Sequence, residues 1–471
     1  MNRRRRIVTA AFAVVVGLLT APVAAQSDGY AFTGINFNFA NPGARARGIG
    51  GAFVAIADDA TAALANPAGI AYLGRVLSLE WAWDEERFPV GQLTQGGVGV
   101  VLEGTSMVYT PESDPDRVWA GSRQSRLNHF ALVLPLVEYR LNLAVFYGVL
   151  GDLDASFRVG DGLTCIGRDG SVTLPGAGEP CTLDLTDPSS GDIPVLYFGQ
   201  TVRYRLKTET AGVSIGWRLG DRWSLGATVA AGDTSLAARA DIDRSAAGLD
   251  PRRELSSVDD RDLLFAAGIL YRGERFGFGA SWRSHSRYAI ENRIGVVDPA
   301  TGEVAWDQRF GSELTVPDRL AAGVTWFPGD RWVVAAEVTR IGYSELGSRM
   351  RAFDPVTEAY GIRYRTDDVT EYHLGAEYTT FEERAGWSVR AGWWRERTHP
   401  PYVSEPYTDP HGDAGDRTRA ELSAVRAPYD RAVDHFTAGG GWATDRIRLD
   451  LAVDWSDLAG TDVMLSAVLY F

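Results

Sequence analysis

The feature that most constrains the fold is a period-two alternation of apolar and polar residues, repeated along residues 76–471. In the segment 446–455, every second residue is apolar, as follows: Ile447, Leu449, Leu451, Val453 and Trp455. Such alternation predicts strands with one apolar and one polar face. In a soluble sandwich the apolar face would cover a core, whereas in a membrane barrel it would face lipid and the polar face would line the lumen. The period alone does not separate the two.

Other properties of these segments favour the barrel. They are about 10–14 residues long, which exceeds the roughly 5–6 residues of soluble strands and suits tilted membrane spans. Short turns such as 219–222 alternate with long loops such as 151–199, 233–259, 290–315 and 398–430, as in outer-membrane barrels. Trp217 and Trp442 lie near strand ends, where an aromatic girdle would place them. We therefore predict an all-β fold: a transmembrane, outer-membrane antiparallel β-barrel of about fourteen strands over residues 76–471.

Residues 1–25 have the organisation of a secretory signal peptide. Arg3–Arg6 form a basic start, Ile7–Leu19 form an apolar run, and Val23–Ala25 supply small residues at a cleavage site. The apolar run is shorter than the ~18–20 residues of a spanning helix. We expect cleavage after residue 25, export, and insertion of the barrel into the cell outer membrane.

Residues 26–75 do not continue the alternation. They are rich in Gly, Ala and Asn, and they contain a short helix candidate, Asp58–Ala65, which Asn66 and Pro67 would end. A segment of small residues that precedes a barrel can fold into its lumen. The sequence therefore predicts an N-terminal hatch, or plug, over residues 26–75.

This segment resembles the hatch of the FadL-type outer-membrane transporters of long-chain fatty acids and aromatic hydrocarbons. The similarity is carried by Gly43–Asp59 and by Asn66-Pro67-Ala68-Gly69, and weaker similarity continues in Val316–Gly323, His373–Tyr378 and Val389–Trp393. The resemblance implies a fourteen-stranded, plugged barrel that passes hydrophobic compounds through a lateral gap in its wall without an energy source. It also implies that Asn66, Pro67 and Ala68 are the hatch motif that positions the plug.

Two groups of residues are candidates for contact with such a cargo. The resemblance implies that the N-terminus enters the lumen, where these apolar residues would form a hydrophobic ligand pocket: Phe32, Ile35, Phe37 and Phe39. In a soluble protein the same residues would form a first strand. Arg283, His285 and Arg287 would project from one face of a strand to the lumen side, and Arg319 begins another strand, so the arginines are possible contacts for a carboxylate head group. The alternative is a charge ladder across strands, with these partners: Glu337, Glu371 and Glu377.

The hatch motif also resembles that of PorV-type barrels, which act in protein secretion or surface attachment. The resemblance therefore determines the architecture better than the cargo. The expected partners are a hydrophobic small-molecule ligand, outer-membrane lipid and lipopolysaccharide, and the barrel-assembly machinery, which would bind the closing Leu469-Tyr470-Phe471.

Several other functions are disfavoured by composition and spacing. The net charge of −14 argues against nucleic acid as a partner. The six histidines have no paired ligand spacing, and Gly48–Gly51 follows no buried strand, so we expect no metal, no nucleotide cofactor and no enzymatic activity. Cys165 and Cys181 lie in one long loop and predict a disulfide in an oxidising compartment.

Overall fold

The structure is a computed structural model, which describes the following residues: 37–89, 96–101, 106–111, 119–137, 140–159, 162–166, 172–173, 181–182, 193–197, 200–245, 249–348, 351–354, 359–381, 385–399, 402–403, 432–456 and 460–471. The predicted signal peptide, residues 1–25, lies outside the described residues, as do Phe32 and Ile35.

One closed antiparallel barrel accounts for most of the described chain. Its sheet has sixteen segments, and because two strands are each interrupted once, it contains fourteen strands. They are β1 (Val76–Pro89), β2 (Trp119–Val137), β3 (Leu141–Val159), β4 (Gln200–Arg218), β5 (Trp223–Ile242), β6 (Arg252–Arg272), β7a and β7b (Phe276–Arg283, Ser286–Val297), β8a and β8b (Val304–Val316, Arg319–Gly329), β9 (Trp332–Ile341), β10 (Val369–Phe381), β11 (Gly386–Arg397), β12 (Ala432–Ala443), β13 (Ile447–Ser456) and β14 (Gly460–Tyr470). Each strand pairs with the next, and β1 pairs with β14, which closes the barrel. The predicted fold class is confirmed.

Short strands outside the barrel sheet form three small sheets. They are Gly96–Val101, Ser106–Pro111, Gly162–Ile166, Val172–Thr173, Cys181–Thr182, Ile193–Tyr197, Arg351–Asp354, Ala359–Arg365 and Tyr402–Val403. A short helix, Ser344–Ser348, follows β9. Among the helices in the described part of the chain, none has both the length and the apolar composition needed to cross a membrane.

The two faces of the wall differ as the alternation predicts. On β13, Leu451 and Trp455 point outward and are 48% and 51% exposed, whereas Asp450 and Asp454 point inward and are almost completely buried. Large apolar side chains are exposed in this way on strand after strand. The outer face is therefore apolar enough to meet lipid, and the inner face carries the polar groups.

Several strands continue well beyond the apolar band on the long-loop side, which the sequence did not predict. The predicted loop 233–259 contains the ends of β5 and β6, and the predicted loop 290–315 contains most of β7b and β8a. The apolar alternation marks only the part of a strand that faces lipid. Above that band the outward residues are charged, as in the pair of Arg261 and Asp233 with an N–O distance of 2.5 Å, although the backbone ladder is unchanged.

Residues 37–74, here called the lumen segment, lie inside the barrel. They contain helix α1 (Ala44–Gly48), helix α2 (Ala62–Ala65) and a 3₁₀ helix (Pro67–Tyr72). Helix α1 packs on β11–β14, and the 3₁₀ helix packs on β3–β6, so the segment crosses the lumen. The predicted helix Asp58–Ala65 is shorter than expected because Asp58 pairs with Arg45 instead of capping it.

The two cysteines lie in separate short strands, Gly162–Ile166 and Cys181–Thr182. Their side chains are outside the described part, so the disulfide stays a prediction. We expect an alkylating reagent to add no mass to freshly purified, unfolded protein until a reductant is present, because both thiols are oxidised. Alkylation of both residues without reduction would contradict the disulfide.

Candidate functional site

The backbone of the lumen segment lies directly against the barrel wall at glycines. A Cβ atom on Gly226 would lie 2.1 Å from the carbonyl carbon of Pro67, and one on Gly375 would lie 2.1 Å from the carbonyl oxygen of Ile49. Similar close approaches to the segment occur at Gly216, Gly268, Gly279 and Gly392. Only a residue without a Cβ permits such contacts. The positions of the glycines in the wall therefore determine where the backbone of the lumen segment can pack.

The predicted hatch motif lies at one of these contacts. Asn66 is completely buried, and its Nδ2 donates to the backbone oxygens of Val54 at 2.8 Å and of Ile269 on β6 at 3.2 Å. Its Oδ1 accepts from the backbone N of Ala68, so Asn66 caps the N-terminus of the 3₁₀ helix. Pro67 occupies the first position of that helix. The motif thus joins two parts of the lumen segment to the wall.

A network of buried ion pairs holds helix α1, and of its members the sequence analysis named only Glu377, as a candidate partner in a charge ladder. Arg45 binds Glu377 on β10 through two hydrogen bonds of 2.8 Å. Glu377 also accepts from Arg390 on β11, and Arg390 lies 2.8 Å from Asp450 on β13. Each of these side chains is less than a tenth exposed. A charged residue at an inward position of a spanning strand was the signal that could have revealed them.

The network continues to the start of α2. Arg448 on β13 binds Asp450 at 2.8 Å and reaches Asp59 in the lumen segment. Burial alone would raise the pKa of Asp59, but the Arg448 guanidinium and the Thr61 hydroxyl hold that pKa below its ordinary value. Asp59 is therefore an anion at neutral pH and a permanent partner for the wall.

A second anchor involves Arg319, one of the predicted carboxylate contacts. Its Nη2 donates to Glu337 at 2.8 Å. Glu337 also accepts from the side chain of Asn41 and from the backbone N atoms of Phe53 and Val54, at 2.8–3.0 Å. Arg319 and Glu337 thus form the charge ladder that was the alternative interpretation, and they bind the lumen segment.

Arg283 differs from the other inward arginines. It lies directly across from Arg319 in the ladder and is 8% exposed. Within the described part of the chain, no carboxylate pairs with it, and its Nη2 has no hydrogen-bond partner. Its guanidinium carbon lies 5.0 Å from the ring centre of Phe39, a cation–π contact. Arg283 is thus a buried cation beside an apolar region.

The prediction that Arg283, His285 and Arg287 share one face is wrong. β7 is interrupted at residues 284–285, and the inward positions change there from odd to even numbers. On β7b the even-numbered residues, such as Tyr288, point inward. Arg287 therefore points to the outer side of the wall. A break in a strand moves every later residue to the opposite face of the sheet. The alternation of apolar and polar residues around 284–285 does not indicate this break.

An apolar cluster occupies the lumen on the long-loop side of the lumen segment. Its members are all buried and come from the lumen segment and from the wall: Phe37, Phe39, Leu153, Tyr204, Leu206, Leu236, Val258, Tyr288, Ile290, Leu314, Val316, Ile341, Tyr343, Leu346 and Val369. Phe39 contacts Tyr343 edge to face, with ring centres 5.9 Å apart. Two of the four predicted pocket residues, Phe37 and Phe39, therefore meet in one apolar site.

The wall beside this cluster is interrupted. β2 and β3 pair from Val137 and Leu141 up to His129 and Gly148, and beyond that point the described residues 119–128 and 149–159 do not pair with each other. The backbone N of Asn38 donates to the oxygen of Leu150 at 2.6 Å, so the lumen segment bonds to the open edge. The apolar cluster thus adjoins a gap in the wall between β2 and β3.

No group of three or more histidine, cysteine, aspartate or glutamate side chains able to hold a metal ion occurs among the residues that the structure describes.

Comparison with known proteins shows what this barrel is similar to. Residues 191–413 match the family described as outer membrane protein transport protein (OMPP1/FadL/TodX). No curated protein sequence matches the chain. The fold is similar to that of the toluene transporter TbuX of Ralstonia pickettii, with 14% identity, a TM-score of 0.55, and coverage of 92% of this chain and 99% of that one.

Two further solved structures share the fold. The P. putida toluene transporter TodX has 14% identity and a TM-score of 0.53, over 92% of this chain and 99% of its own. The CymD monoaromatic hydrocarbon channel has 14% identity and a TM-score of 0.54, over 93% and 99%. The closed fourteen-stranded barrel and the match over residues 191–413 make this chain similar to the OMPP1/FadL/TodX family of outer membrane transport proteins.

Proposed function

We propose that this protein mediates the passive uptake of hydrophobic compounds, long-chain fatty acids or aromatic hydrocarbons, across the outer membrane. The observation that carries the proposal is the apolar cluster on the long-loop side of the lumen segment, adjoining the gap between β2 and β3. A hydrophobic solute binds to such an apolar surface because its transfer out of water is favourable. Movement along such surfaces needs neither a catalytic group nor an energy source.

On the proposed path, cargo enters the lumen from the long-loop side and leaves laterally through the barrel wall. The lumen segment, as the described part of the proposed hatch of residues 26–75, would block the direct route to the short-turn side. Cargo in the apolar cluster would instead leave through the gap beside Leu153 and Phe37 into the membrane. Asn66, Pro67 and Ala68 would set the position of the hatch from which Phe37 and Phe39 extend.

The membrane surface supplies the other proposed partners. Arginines on the outer wall above the apolar band, Arg205 and Arg309 among them, are more than half exposed and suit contact with lipopolysaccharide phosphates. The aromatic end at Tyr470 and Phe471 suits recognition by the barrel-assembly machinery.

Uptake of radiolabelled oleate and toluene by a deletion strain, with and without the gene, tests the proposal. We expect the gene to raise the uptake of at least one of them. Equal uptake of every hydrophobic compound in both strains would overturn it, and loss of a surface-attached protein in the deletion strain would support the secretion function instead.

Arg283 favours a cargo with an acidic head group. Its replacement, Arg283→Gln, is expected to weaken oleate uptake at limiting concentration about tenfold, because a hydrogen bond to a charged group contributes ~1.5–3 kcal/mol. Toluene has no carboxylate, so its uptake is expected to stay unchanged.

The matched control for this substitution is Arg395→Gln. Arg395 is an exposed arginine on β11 that pairs with Asp434 on the outer side of the wall. Equal losses of oleate and toluene uptake in Arg283→Gln would show that Arg283 has only a structural role.

A further inference from the structure

The barrel wall has a second interruption, between β6 and β7. β6 pairs with β7a up to Ala266 and Arg283, and pairs with β7b only from Ser257 and Glu291 onward. Residues 258–264 and 285–290, here called the seam, form no ladder with each other. On the other side of β6, its ladder with β5 is continuous from end to end. The discontinuity is therefore confined to one edge of β6.

Two aspartate carboxylates bridge the seam. Asp262 Oδ2 accepts from the backbone N of Arg287 at 2.8 Å, and Asp260 Oδ2 accepts from that of Ala289 at 2.9 Å. The second oxygen of each carboxylate accepts from the next residue of its own strand, Arg261 or Leu263, at 2.8 Å. Side chains thus occupy the place of direct backbone bonds between the two strands.

A fifth backbone N–H group beside the seam is also bonded to a side chain. The backbone N of Phe265 on β6 donates to the hydroxyl of Ser284 at 2.9 Å. Bare amides within a membrane would cost several kcal/mol each. Asp260 and Asp262 therefore satisfy four backbone donors along the opened wall.

Apolar surface lies on both sides of the seam. On the inside, Val258, Tyr288 and Ile290 belong to the apolar cluster. A Cβ atom on Gly232 of β5 would lie 2.2 Å from the Tyr288 hydroxyl, so the Tyr288 side chain reaches across the inner face of β6. On the outside, Leu263 is 56% exposed and lies at the upper edge of the apolar band, with the exposed Arg261 above it. The two carboxylates and the Tyr288 side chain lie between the cluster and this edge of the band.

We propose that the seam is a second lateral portal, through which hydrophobic cargo exchanges between the apolar cluster and the outer leaflet, with Tyr288 as its inner cover. This inference rests on the proposed function and adds a route separate from the gap between β2 and β3. The two routes open from the same cluster through different parts of the wall.

Photolabelling tests the portal without measuring transport. Purified protein in phosphatidylethanolamine–phosphatidylglycerol liposomes is irradiated with a diazirine-bearing palmitic acid and mapped by mass spectrometry. We expect adducts in residues 258–264 and 285–290, and a higher adduct yield there in Tyr288→Ala. Adducts in the β2–β3 gap and the cluster but not in the seam, for both proteins, would overturn the proposal.

A reversible lock tests the route in cells. Asp260→Cys with Ala289→Cys, in a Cys165→Ser, Cys181→Ser background, is bridged by a short bis-methanethiosulfonate that reduction removes. The matched control is Ser235→Cys with Asp259→Cys, which face each other in the intact β5–β6 ladder. We expect the seam lock to lower uptake reversibly and the control lock to leave it unchanged.

The outcomes separate this inference from the proposed function. Uptake that is insensitive to the seam lock, without seam adducts, would reject the portal and retain the function. Seam adducts in a protein that gives no uptake in cells would reject the function and retain the seam as a lipid-binding portal.

Discussion

Replacement of Glu377 by alanine is expected to release the lumen segment while the barrel stays closed. Glu377 is the shared partner of Arg45 in the segment and Arg390 in the wall. Its removal leaves two buried guanidinium groups without that carboxylate, and breaking a buried pair in this way costs ~3–5 kcal/mol. The backbone ladders of β10 lose nothing. The cost therefore falls on the docking of the segment.

Limited proteolysis and heat-modifiability on gels measure the two effects separately. We expect faster cleavage within residues 37–74 in Glu377→Ala, with the folded barrel still migrating faster than the heated one. Asp434→Ala is the control, because its pair with Arg395 is exposed and such pairs contribute only ~0–1 kcal/mol. Equal protease resistance of the wild type and Glu377→Ala would contradict the anchoring role.

Substitution of Gly226 by alanine is expected to reduce the uptake of oleate and toluene together. The new Cβ would lie 2.1 Å from the carbonyl carbon of Pro67 and 2.2 Å from the backbone N of Ala68, and neither backbone atom can rotate away. Overpacking of this kind typically costs ~1–3 kcal/mol. The 3₁₀ helix must therefore shift, and Asn66 loses its hydrogen bond to Ile269 in the wall.

Gly440→Ala on β12 is the matched control, because the nearest atom to its new Cβ would be 3.9 Å away. Uptake of both compounds, and entry of a hydrophilic antibiotic, are compared in the two variants. We expect Gly226→Ala to lose uptake and to admit more antibiotic, since the hatch no longer seals the lumen. Indistinguishable variants would show that the motif does not set the position of the hatch.

The sequence was sufficient for the barrel because its signal is local. The alternation in β13, from Ile447 to Trp455, fixes which residues face lipid, and the same pattern recurs in every spanning strand. The interruption of β7 at residues 284–285 carried no such signal, so Arg287 was placed on the wrong face. Strand ends above the apolar band were also missed, because charged residues such as Arg261 extend them without apolar alternation.

The interior of the barrel could be predicted only in part. Resemblance directed attention to Asn66, Pro67 and Ala68, and the clustering of Phe37 and Phe39 with wall residues agrees with the predicted pocket as far as the described residues extend. Glu377 and Asp450 gave no indication of their partners, since a charge on a lumen face looks the same whether it meets water or a buried arginine. Pairing across the lumen depends on how the closed wall brings distant strands together.

The span of these contacts along the chain imposes an order on biogenesis. Asp59 lies near the N-terminus, and its partner Arg448 lies 389 residues further along the chain. Arg45 and its partner Glu377 are separated by 332 residues. The N-terminal part must therefore remain undocked while most of the wall is made, and contacts so distant in sequence form late. Insertion of the last strands completes the set of anchors and closes the ring against β1. The strands that close the wall are thereby also the strands that complete the docking of the lumen segment.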